Sequence, residues 1–254
     1  MRPHVSARSP AALLRVTPEA SALLLIGAAA WALVVWLASS MGSMPGTMGL
    51  GLPAFVGVWA LMMAAMMLPA VAPVAAAYTR SFTNNRGRRC VLFAGGYLLV
   101  WAGSGLPAYG AAVLVDRVAS LGVVAGRSIA AGTLVAVAVY QLTPLKRVCL
   151  EHCRSPLGQL LRFASVRGFA RELRVGLRHG AFCAGCCWLL MLVLVALGTM
   201  NIFLMIGLAA VVVLEKYSPH GEILARAVAA AAIALAVVTL LVPQTGLGTT
   251  AMQS

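Results

Sequence analysis

The sequence predicts an all-α fold, a polytopic transmembrane helical bundle of about seven spans with its N-terminus in the cytoplasm. Three observations predict it. Of 254 residues, 61% are hydrophobic and 10% charged, with a mean hydropathy of +0.94, whereas soluble domains carry about 25% charged residues. Apolar windows recur at the roughly 20-residue length that crosses a hydrocarbon core. Finally, 17 of the 19 basic residues fall on one side of the spans so defined.

The elements follow in order. Residues 1–19 form a cytoplasmic N-terminal segment with Arg2, Arg8 and Arg15, and 20–242 form the transmembrane domain. The first window, 20–39, is too long for a signal-peptide core and lacks a clear small-x-small cleavage site, so it reads as a retained span. The second, 52–78, is followed by Arg80, Arg86, Arg88 and Arg89; the third covers 91–115 and the fourth 128–145. Only Arg117 and Arg127 lie between the third and fourth, on the other side.

Residues 146–180 form a basic cytoplasmic loop containing Lys146, Arg147, Arg154, Arg162, Arg167, Arg171, Arg174 and Arg178. Within it Phe163, Val166, Ala170, Leu173 and Leu177 recur at helical spacing, which predicts an interfacial amphipathic helix between spans four and five. The apolar run 181–214 is too long for one modestly tilted helix. The stretch "LGTMN" supplies turn chemistry, dividing it into spans 180–197 and 201–214. Lys216 precedes the last span, 223–242, Arg226 stands in that span's first turn, and 243–254 form a tail. Every span must be helical, because lipid offers backbone groups no other partner. The net charge of +13 therefore reports orientation. It predicts a lipid bilayer as partner and no nucleic acid.

Chemistry gathers where the soft side chains do. In "AFCAGCCWLLM", Cys183, Cys186, Cys187 and Met191 share one broad helix face, with His179 a turn earlier on the same side. Thiols and thioethers favour Cu(I); zinc shares the thiolates but has little use for methionine. Span two carries "WALMMAAMMLPAVAP", in which Met62, Met66 and Met67, with Met63, stack near Trp59, and Pro69 and Pro73 can bend the helix. In "YQLTPLKRVCLEHCRSP", Cys149 and Cys153 are one turn apart, among cations that favour thiolate formation. Packing, dithiol redox and metal binding all remain open for that pair. The outer loop "MGSMPGTMG" adds Met41, Met44 and Met48 on a chain that glycine and Pro45 make pliable, and Met200 and Met205 follow in the outer turn and beyond it. Thiols thus occupy the inner end and thioethers the outer, the order a ligand ladder for Cu(I) requires. Glu215 and Lys216 read as a pair or an interface anchor, and Cys90 as structural. No nucleotide loop, Ser-His-Asp set or hydrolytic carboxylate pair is present, so no catalytic residue is assigned.

These segments, with "GLRHGAFCAGCCWLLM", "GTMNIFLM" and "LEK", resemble a bacterial domain-of-unknown-function family, uncharacterised integral membrane proteins predicted to bind metal. The resemblance covers roughly residues 50–220. It falls on Met62, Met66, Met67, Pro69, Cys149, Cys153, His179, Cys183, Cys186, Cys187, Met191, Met200, Met205, Glu215 and Lys216, and leaves out Met63 and the Met41–Met48 group. It implies metal binding in a bacterial cytoplasmic (inner) membrane.

Together the residues and the resemblance predict a membrane protein that binds Cu(I) for copper transport, buffering or delivery. The predicted metal ligands are Cys183, Cys186, Cys187 and Met191, faced by Met62, Met66 and Met67, with His179 close by and Cys149 and Cys153 at a cytoplasmic entry or exit. The expected cofactor is copper, with zinc the alternative. Expected partners are a copper chaperone or recipient membrane protein, and a second copy of the chain. Two other functions compete: a structural subunit of a larger membrane complex, and a membrane thiol–disulfide oxidoreductase. The second is disfavoured because the Cys pairs fall on the reducing side.

Overall fold

The computed structural model describes residues 17–42, 44–154, 159, 163, 165–168 and 170–241. The N-terminal arginines, Arg162, Pro156 and the C-terminal tail lie outside the described residues. The described residues are mostly helical, joined by short turns and loops, and contain no strand. The helices are α1 (Pro18–Met41), α2 (Leu52–Arg80), α3 (Arg86–Gly103), α4 (Gly105–Ala119), α5 (Val123–Gln141), α6 (Pro144–Arg154), α7 (Arg171–Leu197), α8 (Ile202–Tyr217) and α9 (Gly221–Leu241). Six stretches among them are long and apolar enough to cross a membrane: α1, α2, the α3–α4 stretch, α5, α7 and α9. At 16 residues, α8 falls short of that length.

Local chemistry sets the boundaries. Thr17 caps α1 by accepting the Ala20 N–H at 3.2 Å, Pro18 opens the helix, and Gly42, at φ 72°, ends it. α2 runs on through Pro69 and Pro73. The Pro69 ring seats against Gly27 of α1, where a Cβ would lie 3.1 Å from Pro69 Cδ. The third predicted span is two helices, broken at Ser104. The Ser104 hydroxyl accepts from Trp59 Nε1 at 3.1 Å and donates to the Trp101 carbonyl at 2.6 Å.

The fourth predicted span ends earlier than residue 145. Pro144 lacks an N–H and disfavours helix in the residue before it, so α5 stops at Gln141 and α6 starts afresh. Among the described residues the predicted amphipathic repeat through 163–177 is interrupted, because residues 166–168 are not helical. Ala170 takes a left-handed conformation, φ 54°, and starts α7. Leu173 and Leu177 therefore belong to the helix that carries the cysteines. Phe163 instead packs among Tyr78, Phe93 and His179. The hairpin at "LGTMN" is present, with Gly198 at φ 139° and the Asn201 side chain capping α8 by accepting from Leu204 N at 3.0 Å.

The methionine loop between α1 and α2 is clamped rather than pliable. Gly46 N donates to the Val195 carbonyl at 2.9 Å, and Thr199 N donates to the Met44 carbonyl at 3.1 Å. Thr47 donates to Asp116 Oδ2 from both its backbone N (3.1 Å) and its hydroxyl (2.6 Å).

The packing is inside out relative to a soluble protein. Leu25, Ile26 and Trp36 of α1, Phe203 of α8, and Ile223 and Leu241 of α9 are exposed, while charged and soft groups are buried. α7 lies mainly against α3, α6 and α5, and α2 against α1 and α3. At the α3–α7 crossing the backbones touch. A Cβ on Gly176 would lie 2.0 Å from the Phe93 carbonyl oxygen, and one on Gly96 2.3 Å from that of Leu173. Gly176 and Gly180 form the small-x-x-x-small spacing that lets helices approach closely.

Candidate metal site

On α7 the helical repeat brings Cys183, Cys186 and Cys187 together, all buried, with their sulfurs within 4.8 Å of one another. Among the described residues this is the group of three or more Cys, His or carboxylate side chains gathered closely enough to hold a metal ion. The Cys186 and Cys187 thiols donate to the Cys183 carbonyl, at 3.0 and 3.1 Å. These bonds turn both thiols back toward the turn that carries the third.

Cys183 meets groups from two other helices. The Tyr97 hydroxyl of α3 lies 3.0 Å from its sulfur. The α3–α7 glycine crossing makes that reach possible, and Gly180 sits one turn before Cys183 with its own close contact at the Tyr97 carbonyl. From α8, Lys216 Nζ donates to the same sulfur at 2.9 Å. The turn at Gly198 returns the chain so that the last turn of α8 reaches this level of α7.

Glu215 and Lys216 do not pair with each other, because neighbours in sequence point to different sides of a helix. Glu215 binds Lys146 of α6 at 2.7 Å, with both side chains almost fully buried. Gln141 Nε2 donates to the other Glu215 oxygen at 2.9 Å, and Lys146 also donates to Gln141 Oε1. Every charge in this buried chain has a partner, as burial of charge requires.

The other predicted ligands stand outside this three-thiol group. Met191 is buried one turn beyond Cys187. Met62, Met66 and Met67 are buried on α2, whose main neighbours are α1 and α3 rather than α7. His179 lies on the buried side of α7, but its ring stacks on Tyr97 at 5.8 Å between centroids and is bordered by Phe93 and Phe163 at 6.0 Å. It sits in an aromatic cage next to the thiol group, not in it.

Cys149 and Cys153 are buried on the inner face of α6. Cys149 Sγ seats in the notch at Gly185 of α7, 3.0 Å from where a Cβ would stand. Tyr140 closes that notch by donating to the Gly185 carbonyl. At Cys149 burial outweighs the nearby cations. Burial pushes its thiol above the ordinary value, with Cys186 adding to the rise, and Lys146 is engaged by Glu215. Cys153 lines a cleft of about 80 Å³ with Pro73, Val74, Gln159, Phe163 and Tyr217.

Three thiols at one point suit a soft ion. Thiolates favour Cu(I) and zinc alike, but structural zinc is almost always tetrahedral, and this group offers three sulfurs without the neighbouring imidazole. Sequence reasoning missed Tyr97, and it missed that Lys216 faces the thiols. The spacing "GLRHG", which brings α3 against α7, was the available signal.

No curated protein and no solved structure matches the chain. A family model described as "PpoB2: Copper chaperone" matches residues 56–239, a stretch that includes the thiol group and all of its partners. The chain belongs to this PpoB2 copper chaperone family.

Proposed function

We propose that the protein is an integral membrane Cu(I) carrier, receiving copper from a donor on the cytoplasmic side or passing it to a recipient protein, with Cys183, Cys186 and Cys187 as the holding site. The observation that carries this reading is the convergence of three buried sulfurs within 4.8 Å. Family membership supports copper as the ion. Six stretches of spanning length and an apolar exterior support the membrane. In this reading α8 completes a seventh crossing as part of the hairpin with α7, and the basic residues keep the N-terminus in the cytoplasm of a bacterial inner membrane.

Cys153, at its cleft, and Cys149, at the Gly185 notch, are the port between solution and the holding site. Met191, Met62, Met66 and Met67 provide weaker thioether stations deeper in the bundle. Thiolate holds Cu(I) tightly, whereas neutral thioethers can pass it on without leaving charge in lipid.

The test is copper and zinc content per chain by mass spectrometry, on protein purified anaerobically from copper-supplemented cells, beside Cys186→Ser/Cys187→Ser. Copper near stoichiometric with the chain, and lost in the variant, is the expected result. Equal copper in both proteins sinks the assignment of the holding site.

A further inference from the structure

Lys216 is unusual in its burial and in its partner. The side chain is 5% exposed, so it does not snorkel its ammonium to water as lysines near helix ends do. Its neighbour Glu215 is already taken by Lys146 and Gln141. The hydrogen bond the structure gives the Lys216 ammonium runs to Cys183 Sγ, at 2.9 Å. A buried charge needs an opposite charge or strong hydrogen bonds, and a thiol is a weak acceptor.

We propose that Lys216 is the built-in counter-charge of the holding site, there to neutralise a Cu(I) ion bound by two thiolates. The proposal rests on the copper reading of this site. Cu(I) held by two thiolates carries one net negative charge, and such a charge in an apolar bundle is costly unless balanced. Lys216 supplies one positive charge beside the ligand sulfur. The Tyr97 hydroxyl stabilises the same sulfur by a hydrogen bond at 3.0 Å. The third thiol can then stay protonated, donating to the Cys183 carbonyl as Cys186 and Cys187 do here. A protonated lysine has no lone pair, so the group beside Cys183 adds charge without adding the further ligand that a tetrahedral ion demands. The site is thereby matched to a soft monovalent cation of low coordination number.

The experiment is Cu(I) affinity of the full chain in detergent, measured anaerobically by competition with the chromophoric chelator bicinchoninate, for wild type, Lys216→Arg, Lys216→Met and Lys216→Gln. Lys216→Arg keeps the charge and is expected within about threefold of wild type. Lys216→Met and Lys216→Gln are both expected to bind at least about tenfold more weakly, because the loaded site keeps an unbalanced buried charge. Lys216→Gln retains a donor, so its loss separates charge from hydrogen bonding. The metal-free melting temperature of Lys216→Met is expected to equal or exceed that of wild type, since a buried ion has been removed; a merely structural lysine would lower it. Wild-type affinity in Lys216→Met overturns the proposal. Wild type binding no more Cu(I) than Cys186→Ser/Cys187→Ser overturns the copper reading itself, and the proposal with it.

Discussion

The carbonyl oxygen of Phe93 and the α-carbon of Gly176 are in contact: a Cβ on Gly176 would lie 2.0 Å from that oxygen and 3.1 Å from Tyr97 N. The contact sets the depth at which α3 crosses α7, and so the reach of Tyr97 to Cys183. Gly176→Ala must push the two backbones apart, since a backbone carbonyl cannot rotate away as a side chain would. We expect a loss of about 1–3 kcal/mol, the range for overpacking, read as a lower melting temperature in detergent. Copper retention should fall with it, because the Tyr97 hydroxyl withdraws from the thiol group. A variant with wild-type melting and wild-type copper would show that the helices do not cross at this glycine.

Lys146 and Glu215 form a buried ion pair that Gln141 completes. Removing one member leaves a charge without its partner, which costs about 3–5 kcal/mol, whereas replacing both members by apolar groups is often close to neutral. Lys146→Met is therefore expected to be strongly destabilised, and Lys146→Met/Glu215→Met to recover most of the melting temperature. Because the pair ties α6 to α8, the single variant should also expose Cys153 to alkylation. A double variant no more stable than the single would mean that the charges are solvated separately.

Much of the scaffold was legible in the sequence, because apolar length and turn chemistry are local properties. The hairpin at "LGTMN" and the shared face of Cys183, Cys186 and Cys187 follow from period and residue type, whereas the fourth span was drawn through Pro144 to residue 145 although that proline ends α5 at Gln141. What was illegible is pairing across distance. Nothing in the spacing of Glu215 and Lys216 says that one turns to α6 and the other to Cys183. The left-handed Ala170, which divides a seemingly continuous helical repeat, is likewise invisible to periodicity, because alanine favours helix in isolation. The methionine loop looked pliable from its glycines, yet the side chain that clamps it, Asp116, lies at the end of another helix.

Cys149 tests whether cations or burial govern the thiols of α6. Its thiol stands above the ordinary value, chiefly because it is buried and further because Cys186 is near. A raised value means less thiolate at neutral pH, so alkylation of Cys149 should be slow there. It should accelerate only as the pH climbs past the usual thiol range of about 8.5. The measurement is the rate of iodoacetamide labelling of the Cys149 peptide against pH. Fast labelling at neutral pH would show that Arg147 or Arg154 activates the thiol, and would restore the view drawn from charge proximity alone.

Replacing the methionines of α2 tests whether holding and passage of the ion are separate. Met62, Met66 and Met67 are buried, but α2 packs chiefly on α1 and α3 while the thiols ride on α7. If the thiols hold the ion and the thioethers only move it, replacing the three methionines should leave occupancy intact and slow its release. Met62→Leu/Met66→Leu/Met67→Leu nearly conserves volume, and such swaps usually cost under about 1.5 kcal/mol each, so the bundle should survive. We expect copper per chain as in wild type in the anaerobically purified variant. Transfer of Cu(I) from vesicle-reconstituted protein to an external chelator should slow by about tenfold, the effect of roughly 1.4 kcal/mol on a barrier. Loss of copper instead, at unchanged melting temperature, would place the methionine sulfurs among the holding ligands. The site would then have to be redrawn with α2 closing over α7.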